Sequence, residues 1–563
     1  MRSFQAPFPY ARMRAIRIPA LALAGAALIA QAAGAQAPAV NAREIDAHLR
    51  FLSSDLLEGR APATRGGRLA AEYIASQLRA YGVEPAADGS YFQRVPIEIV
   101  GAQAQTIHVA ASGRATATLR YPDDVVIWAG GVSRSETGRP GTQSLDASSE
   151  IVFVGYGADA PEFRWDDFKG VDVRGKILMV LVNDPPAPAG EPNLFGGRAM
   201  TYYGRWTYKF EEAERRGAAG MLIVHTTEQA GYPWHTVVGS WAKEQRMLPR
   251  DATLPPPLGF RGWITDSTAT ALLAQAGLNL ADLRRQAATR AFRPVPTGIM
   301  LGVHFTSTVQ HLESENVVGE IRGSDASLRD QAVALSAHWD HLGIGPAVNG
   351  DSIYNGAEDN ASGVADLLAV AHAAAQRPAP KRSLLFVFVT AEESGLLGSA
   401  AFAQKPTMPV ERIVANLNVD GGNVLGVTRD FRLLGDTKST LGPLFAQMIA
   451  PRGWRVSPDD HPERGAFYRS DHFSFARAGV PSVSIGAGND YQGKPAGWGL
   501  QQQEDYLEHR YHQPSDAYRA DFDLSGAVQL STAVLDFATQ IANAATVPQW
   551  NRDAEFASMR PPR

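Results

Sequence analysis

"LLFVFVTAEESGLLGS", residues 384–399, is the stretch on which the reading of the fold turns. Residues 384–389 are apolar and branched or aromatic, the signature of a strand buried on both faces. Two adjacent glutamates, Glu392 and Glu393, follow at its end. Neighbouring anions repel, and a carboxylate close to a core needs a positive partner.

On either side the chain alternates. Strand-like "AVALSAHWD" precedes helix-like "SGVADLLAVAHAAAQ", and the strand "RIVANLNVD" follows helix-like "GLLGSAAFAQ". This order predicts an α/β fold: a mostly parallel (mixed) sheet with helices on both faces. In such sheets ligands gather at the C-terminal ends of the strands.

Those ends carry the polar residues. His338 and Asp340 follow one strand, Glu392 and Glu393 a second, and Asp420 a third. Glu358, Asp359 and Asn360 open a helix, and "EHRYHQPSD" supplies His509, Tyr511 and His512. Singly, each has a structural explanation: Asp359 as a helix cap and Asp420 as a turn acceptor. Together they place several anions on one rim with few Lys or Arg nearby, and a metal is the simplest counter-charge. The chain has no cysteine, so the ligands must be His and carboxylate. Zinc suits that set, with manganese, cobalt and calcium as alternatives. Five candidates are enough for two ions sharing a carboxylate.

The set "AHWDHLG", "GAEDNASG", "TAEESGLLGS", "NLNVDGG", "SDHFSFARAGVPSVSI" and "YHQPSD" resembles the co-catalytic dizinc aminopeptidases of the bacterial leucyl and Streptomyces type. The resemblance covers roughly residues 310–540 and implies a zinc exopeptidase fold. It implies that His338 and Asp420 bind one Zn2+, that Glu393 and His512 bind the other, and that Asp359 bridges them. Glu392 would be the general base, Asp340 would orient the His338 ring, and Tyr511 would donate to the developing oxyanion. His341 and Glu358 are read as lying outside the ligand set, with Glu358 facing solvent. The insert at residues 145–295 resembles a protease-associated domain. A carboxypeptidase or dipeptidase on the same scaffold stays open, because metal ligands do not distinguish them. A metal-free binding protein is disfavoured by the intact ligand set. Neither the single-zinc "HExxH" signature nor a "GxSxG" nucleophile elbow occurs.

The rest of the chain sets the context. Its 563 residues exceed one hydrophobic core, and 45% hydrophobic with 20% charged residues is ordinary for a globular protein. A net charge of −5 gives no basic surface that points to nucleic acid, and the resemblance implies peptide substrates. Arg12, Arg14 and Arg17 precede the apolar "IPALALAGAALIA" and a small-residue segment ending at Ala35. This is the order of a secretory signal, predicting export to the periplasm or medium without stable membrane insertion. The expected organisation is a signal over 1–35, an N-terminal part of the peptidase domain over 40–144, the insert over 145–295 and the catalytic domain over 310–545.

Overall fold

The computed structural model describes residues 39–132, 141–188, 190–250 and 256–559. The expected signal segment, 1–35, lies outside the described residues.

The peptidase sheet is built as its sequence pattern requires. Ala332–His338 runs parallel to both Ser383–Val389 and Ile413–Asn418, and Ile413–Asn418 runs parallel to Ser482–Ala487. Antiparallel neighbours close the two sides: Val295–Ile321 beside Ser383–Val389, and Asp430–Leu434 beside Ser482–Ala487. The sheet is therefore mixed with a parallel centre, as expected.

Side chains alternate across it because successive residues of a strand face opposite ways. Val333, Leu335, Ala337, Phe386 and Phe388 enter a core shared with Ala42–Leu52, Arg65–Ala80, Ser362–Ala375 and Ser525–Asn543. Ala332, Ala334, Leu385 and Val387 face the other way, onto Phe402 and Phe475 of two short helices. Helices thus cover both faces, and the strands carry no exposed residue. Full burial of a Phe such as Phe386 contributes ~1.5–3 kcal/mol.

Residues 92–305 form a second, β-rich layer with cores of its own. Its spine is Val295–Ile321, a strand of 27 residues. Over this length it pairs with Gly141–Phe153, His108–Gly113 and Phe92–Ala102, and at its end with the peptidase sheet. Residue 145 lies inside the strand Gly141–Phe153, and residue 295 opens the spine. Among the described residues no helix is long and apolar enough to cross a membrane.

Candidate metal centre

The strand ends deliver their side chains to one point. His338 closes its strand, and its Nε2 lies 3.2 Å from Asp420 Oδ1 and 3.2 Å from Asp359 Oδ1. The second oxygen of Asp359 faces elsewhere: Oδ2 is 3.4 Å from His512 Nε2, which is 3.0 Å from Glu393 Oε2. Asp359 therefore offers one oxygen to each of two clusters. The five residues expected as ligands all meet here.

The donor set fits two metal ions. Atoms coordinated tetrahedrally at about 2.0–2.1 Å from zinc lie roughly 3.3–3.4 Å from one another, close to the spacings found here. His512 Nε2 is buried and, despite its approach to Glu393, makes no hydrogen bond. His338, Asp359 and Asp420 bring one ligand atom each within 4.8 Å of the others, as do His341, Asp359 and Glu393.

Electrostatics point the same way. Burial works against ionising Asp359 and Glu393, yet the neighbouring His338 and His512 rings hold Asp359 well below the carboxylate range. Despite burial and the Asp359 charge, His512 and His341 hold Glu393 down at about 2. Burial opposes charge on the imidazoles too, but Glu393 and Asp359 raise His512 to about 10, and Asp420 and Glu392 raise His338. The cluster demands positive charge, which a divalent cation supplies through lone pairs instead of protons.

The glutamate doublet does not continue the strand as an extended segment. Ala391 adopts φ +54°, and the carbonyl of Glu392 accepts the N–H groups of Gly395 and Leu396. A non-glycine residue in the left-handed region costs of order 1 kcal/mol or more, and here it turns the chain so that the two carboxylates diverge. Glu393 enters the cluster, while Glu392 lines a cleft of about 370 Å³ with Asp359, Asp420 and Tyr511. Burial pushes the Glu392 carboxyl well above its usual range.

Asp340 supports both sides, though not quite as expected. His338 Nδ1 lies 3.1 Å from the Asp340 carbonyl, while the Asp340 carboxylate is 3.8 Å away and accepts the Glu392 N–H at 3.1 Å. Tyr511 stacks on His512 with ring centroids 3.8 Å apart.

Several supports were not identified from sequence. Asp516, in the quoted "YHQPSD", accepts the N–H groups of Glu358 and Asp359 at 2.9 and 3.1 Å. Asn360 Oδ1 accepts the N–H of Gly421, tying the Asp359 segment to the Asp420 loop. Arg60 is buried, and its guanidinium donates to the carbonyls of Leu52, Trp339, Asn355 and Gly356. His341 is buried, its Nδ1 2.7 Å from Glu393 Oε1. Glu358 does not face solvent: it lines the cleft, accepts from Arg510 at 2.8 Å, and is pushed up to about 7 by burial. Helix-start position suggested exposure, whereas the helix begins inside the cleft.

Known proteins resemble the chain in part. A vacuolar membrane protease of Candida dubliniensis is 37% identical over 126 residues, 22% of this chain and 12% of that protein. The vacuolar membrane protease of Yarrowia lipolytica is 34% identical over 123 residues, 22% of this chain and 11% of that protein. The chain thus matches about an eighth of the length of these curated relatives. Their names place them at a vacuolar membrane, which overturns the expected periplasmic or secreted destination. Among solved structures, an aminopeptidase from Aneurinibacillus sp. strain AM-1 is 19% identical with a TM-score of 0.47, covering 89% of this chain and 94% of that one. BSAP, a zinc aminopeptidase from Bacillus subtilis, is 16% identical with a TM-score of 0.41, covering 93% and 98%. Residues 316–538, which hold the whole ligand cluster, match the profile of peptidase family M28. Over this domain the chain is similar to peptidase family M28.

Proposed function

We propose that the protein is a dizinc aminopeptidase that hydrolyses N-terminal residues from peptides. The observation that carries this reading is the divided Asp359 carboxylate, with His338 and Asp420 at one oxygen and His512 with Glu393 at the other. His338 and Asp420 would hold one zinc, Glu393 and His512 the second, and Asp359 both, with His341 steadying Glu393. When bound, the pair would lower the pKa of an attacking water from ~15.7 toward ~7 and polarise the scissile carbonyl.

The remaining steps belong to the chain. Glu392 takes the proton from the attacking water and passes it to the leaving amine. Its buried setting raises its proton affinity, which suits that return step. Asp340 fixes base and ligand together through the Glu392 N–H and the His338 ring. Tyr511 projects into the cleft, and its hydroxyl donates to the developing oxyanion. Glu358, shared with Arg510 at the cleft wall, is the carboxylate that receives the terminal ammonium.

Residues 145–295 are read as a protease-associated module that shapes the cleft. Support comes from Arg198, which donates to the Asp460 carbonyl and to Glu463, and from Glu211, which accepts from Arg477 at 2.9 Å. The Arg198 contacts brace the 460–469 turn, whose Ala466 and Arg469 line the cleft, and the Glu211 contact holds the helix that follows.

The test is zinc content per chain together with hydrolysis of leucine-p-nitroanilide before and after chelation. About two zinc equivalents and chelator-sensitive release support the reading. Cleavage confined to peptides with a blocked N-terminus and free C-terminus would make it a carboxypeptidase. No turnover of any peptide after zinc addition would remove the reading.

A further inference from the structure

Arginines around the cleft fall into two groups. Arg429 and Arg455 both hold Asp490, at 2.7 and 2.6 Å, and Arg510 holds Glu358. Arg432 and Arg469 line the cleft itself, and among the described residues neither meets a carboxylate within 4 Å. Arg432 lies opposite Gly486 in the antiparallel pair, and its guanidinium passes over that residue. Arg469 is exposed and has a like-charged neighbour in Arg205, itself buried with its Nε unpaired. Unmatched guanidiniums set against one another are costly unless an anion arrives to satisfy them.

Both signs of charge therefore share one cavity. Asp359, Glu392 and Asp420 line it beside Arg432 and Arg469, and its volume, about 370 Å³, lies at the small end for a ligand cleft. A short peptide zwitterion carries both charges within a comparable space.

We propose that the cleft recognises an anionic group on its substrate through Arg432 and Arg469. That anion is the free C-terminal carboxylate of a short peptide or an acidic side chain following the released residue. The proposal rests on the aminopeptidase reading and adds the substrate class. A guanidinium–carboxylate contact in a partly enclosed cleft is worth about tenfold or more in binding.

The experiment compares kcat/KM for leucyl-glycine against leucyl-glycinamide, and for leucyl-glutamate amide against leucyl-glutamine amide. It uses the wild type, Arg432→Gln and Arg469→Gln, with zinc content and circular dichroism as controls for folding. Wild type should favour at least one anionic partner about tenfold or more, and both variants should bring that ratio toward one. The first pair of substrates reports a terminal carboxylate, the second an acidic side chain. Wild-type ratios near one in both pairs, or ratios unchanged by both substitutions, would overturn the proposal. Loss of leucine release from all four substrates by the zinc-loaded wild type would instead defeat the aminopeptidase reading and take this proposal with it.

Discussion

The two halves of the metal centre are built differently. His338 ends a strand hydrogen-bonded on both sides, and its side chain is 1% exposed. His512 lies in a turn beyond the helix Trp498–His509, with φ +59° and a side chain 34% exposed. One half is fixed by the sheet; the other is completed by a loop whose partner, Asp516, also holds the Asp359 backbone. The His338 cluster is therefore the more enclosed of the two, and the His512 cluster the more open to solvent.

The largest effect should come from the residue between the halves. Glu392→Gln should lower kcat by ~10²–10⁴-fold with both zinc equivalents retained; zinc loss measured in this variant would move Glu392 into the ligand set. Next is the support of the fixed half. Arg60→Ala leaves four buried carbonyls without their donor and should cost about 3 kcal/mol or more of stability, read by denaturant unfolding. Zinc affinity that survives the change would show His338 held by the sheet alone, whereas its loss would mean that the fixed half depends on Arg60 as well.

A milder change probes the more open half. Asp516→Asn keeps the shape but weakens the acceptor for the Asp359 N–H, and should reduce zinc affinity or activity by ~10–100-fold. Competition with a chromogenic chelator should show one zinc leaving first. Simultaneous loss of both would mean that the halves are not separable.

The smallest effect is on stability in acid. Burial depresses His472 to about 3, against a usual 6.5. The unfolded chain therefore takes up a proton that the folded one refuses, so this contribution is complete above pH ~6.5 and declines as pH falls toward ~3. At pH 5 the loss is about 2 kcal/mol. His472→Gln should flatten that slope in urea titrations across pH 7 to 5, and an unchanged slope would assign it to other groups.

Much of this centre was legible in the chain itself. Apolar runs fixed the strands Ala332–His338, Ser383–Val389 and Ile413–Asn418, and the polar residue after each arrived at the rim. Backbone direction was less legible. The divergence of Glu392 and Glu393 depends on the φ of Ala391, and alanine carries no turn signal. Arg60 stayed hidden because the Trp339 carbonyl it serves lies 279 residues away. The burial of Glu358 depends on Arg510, brought alongside only by the closing of the fold.

The spine strand also sets a timetable for biosynthesis. Thr306 pairs with Ser144, and Ser307 with Ala102, so the outer strands must wait for about 160 to 205 further residues before their ladders can form. Loop closure over such lengths slows folding and leaves strand edges exposed meanwhile. Emergence of residues 295–321 from the ribosome is then the event that commits the β-rich layer, and the peptidase sheet, built from later strands, assembles onto an edge already in place.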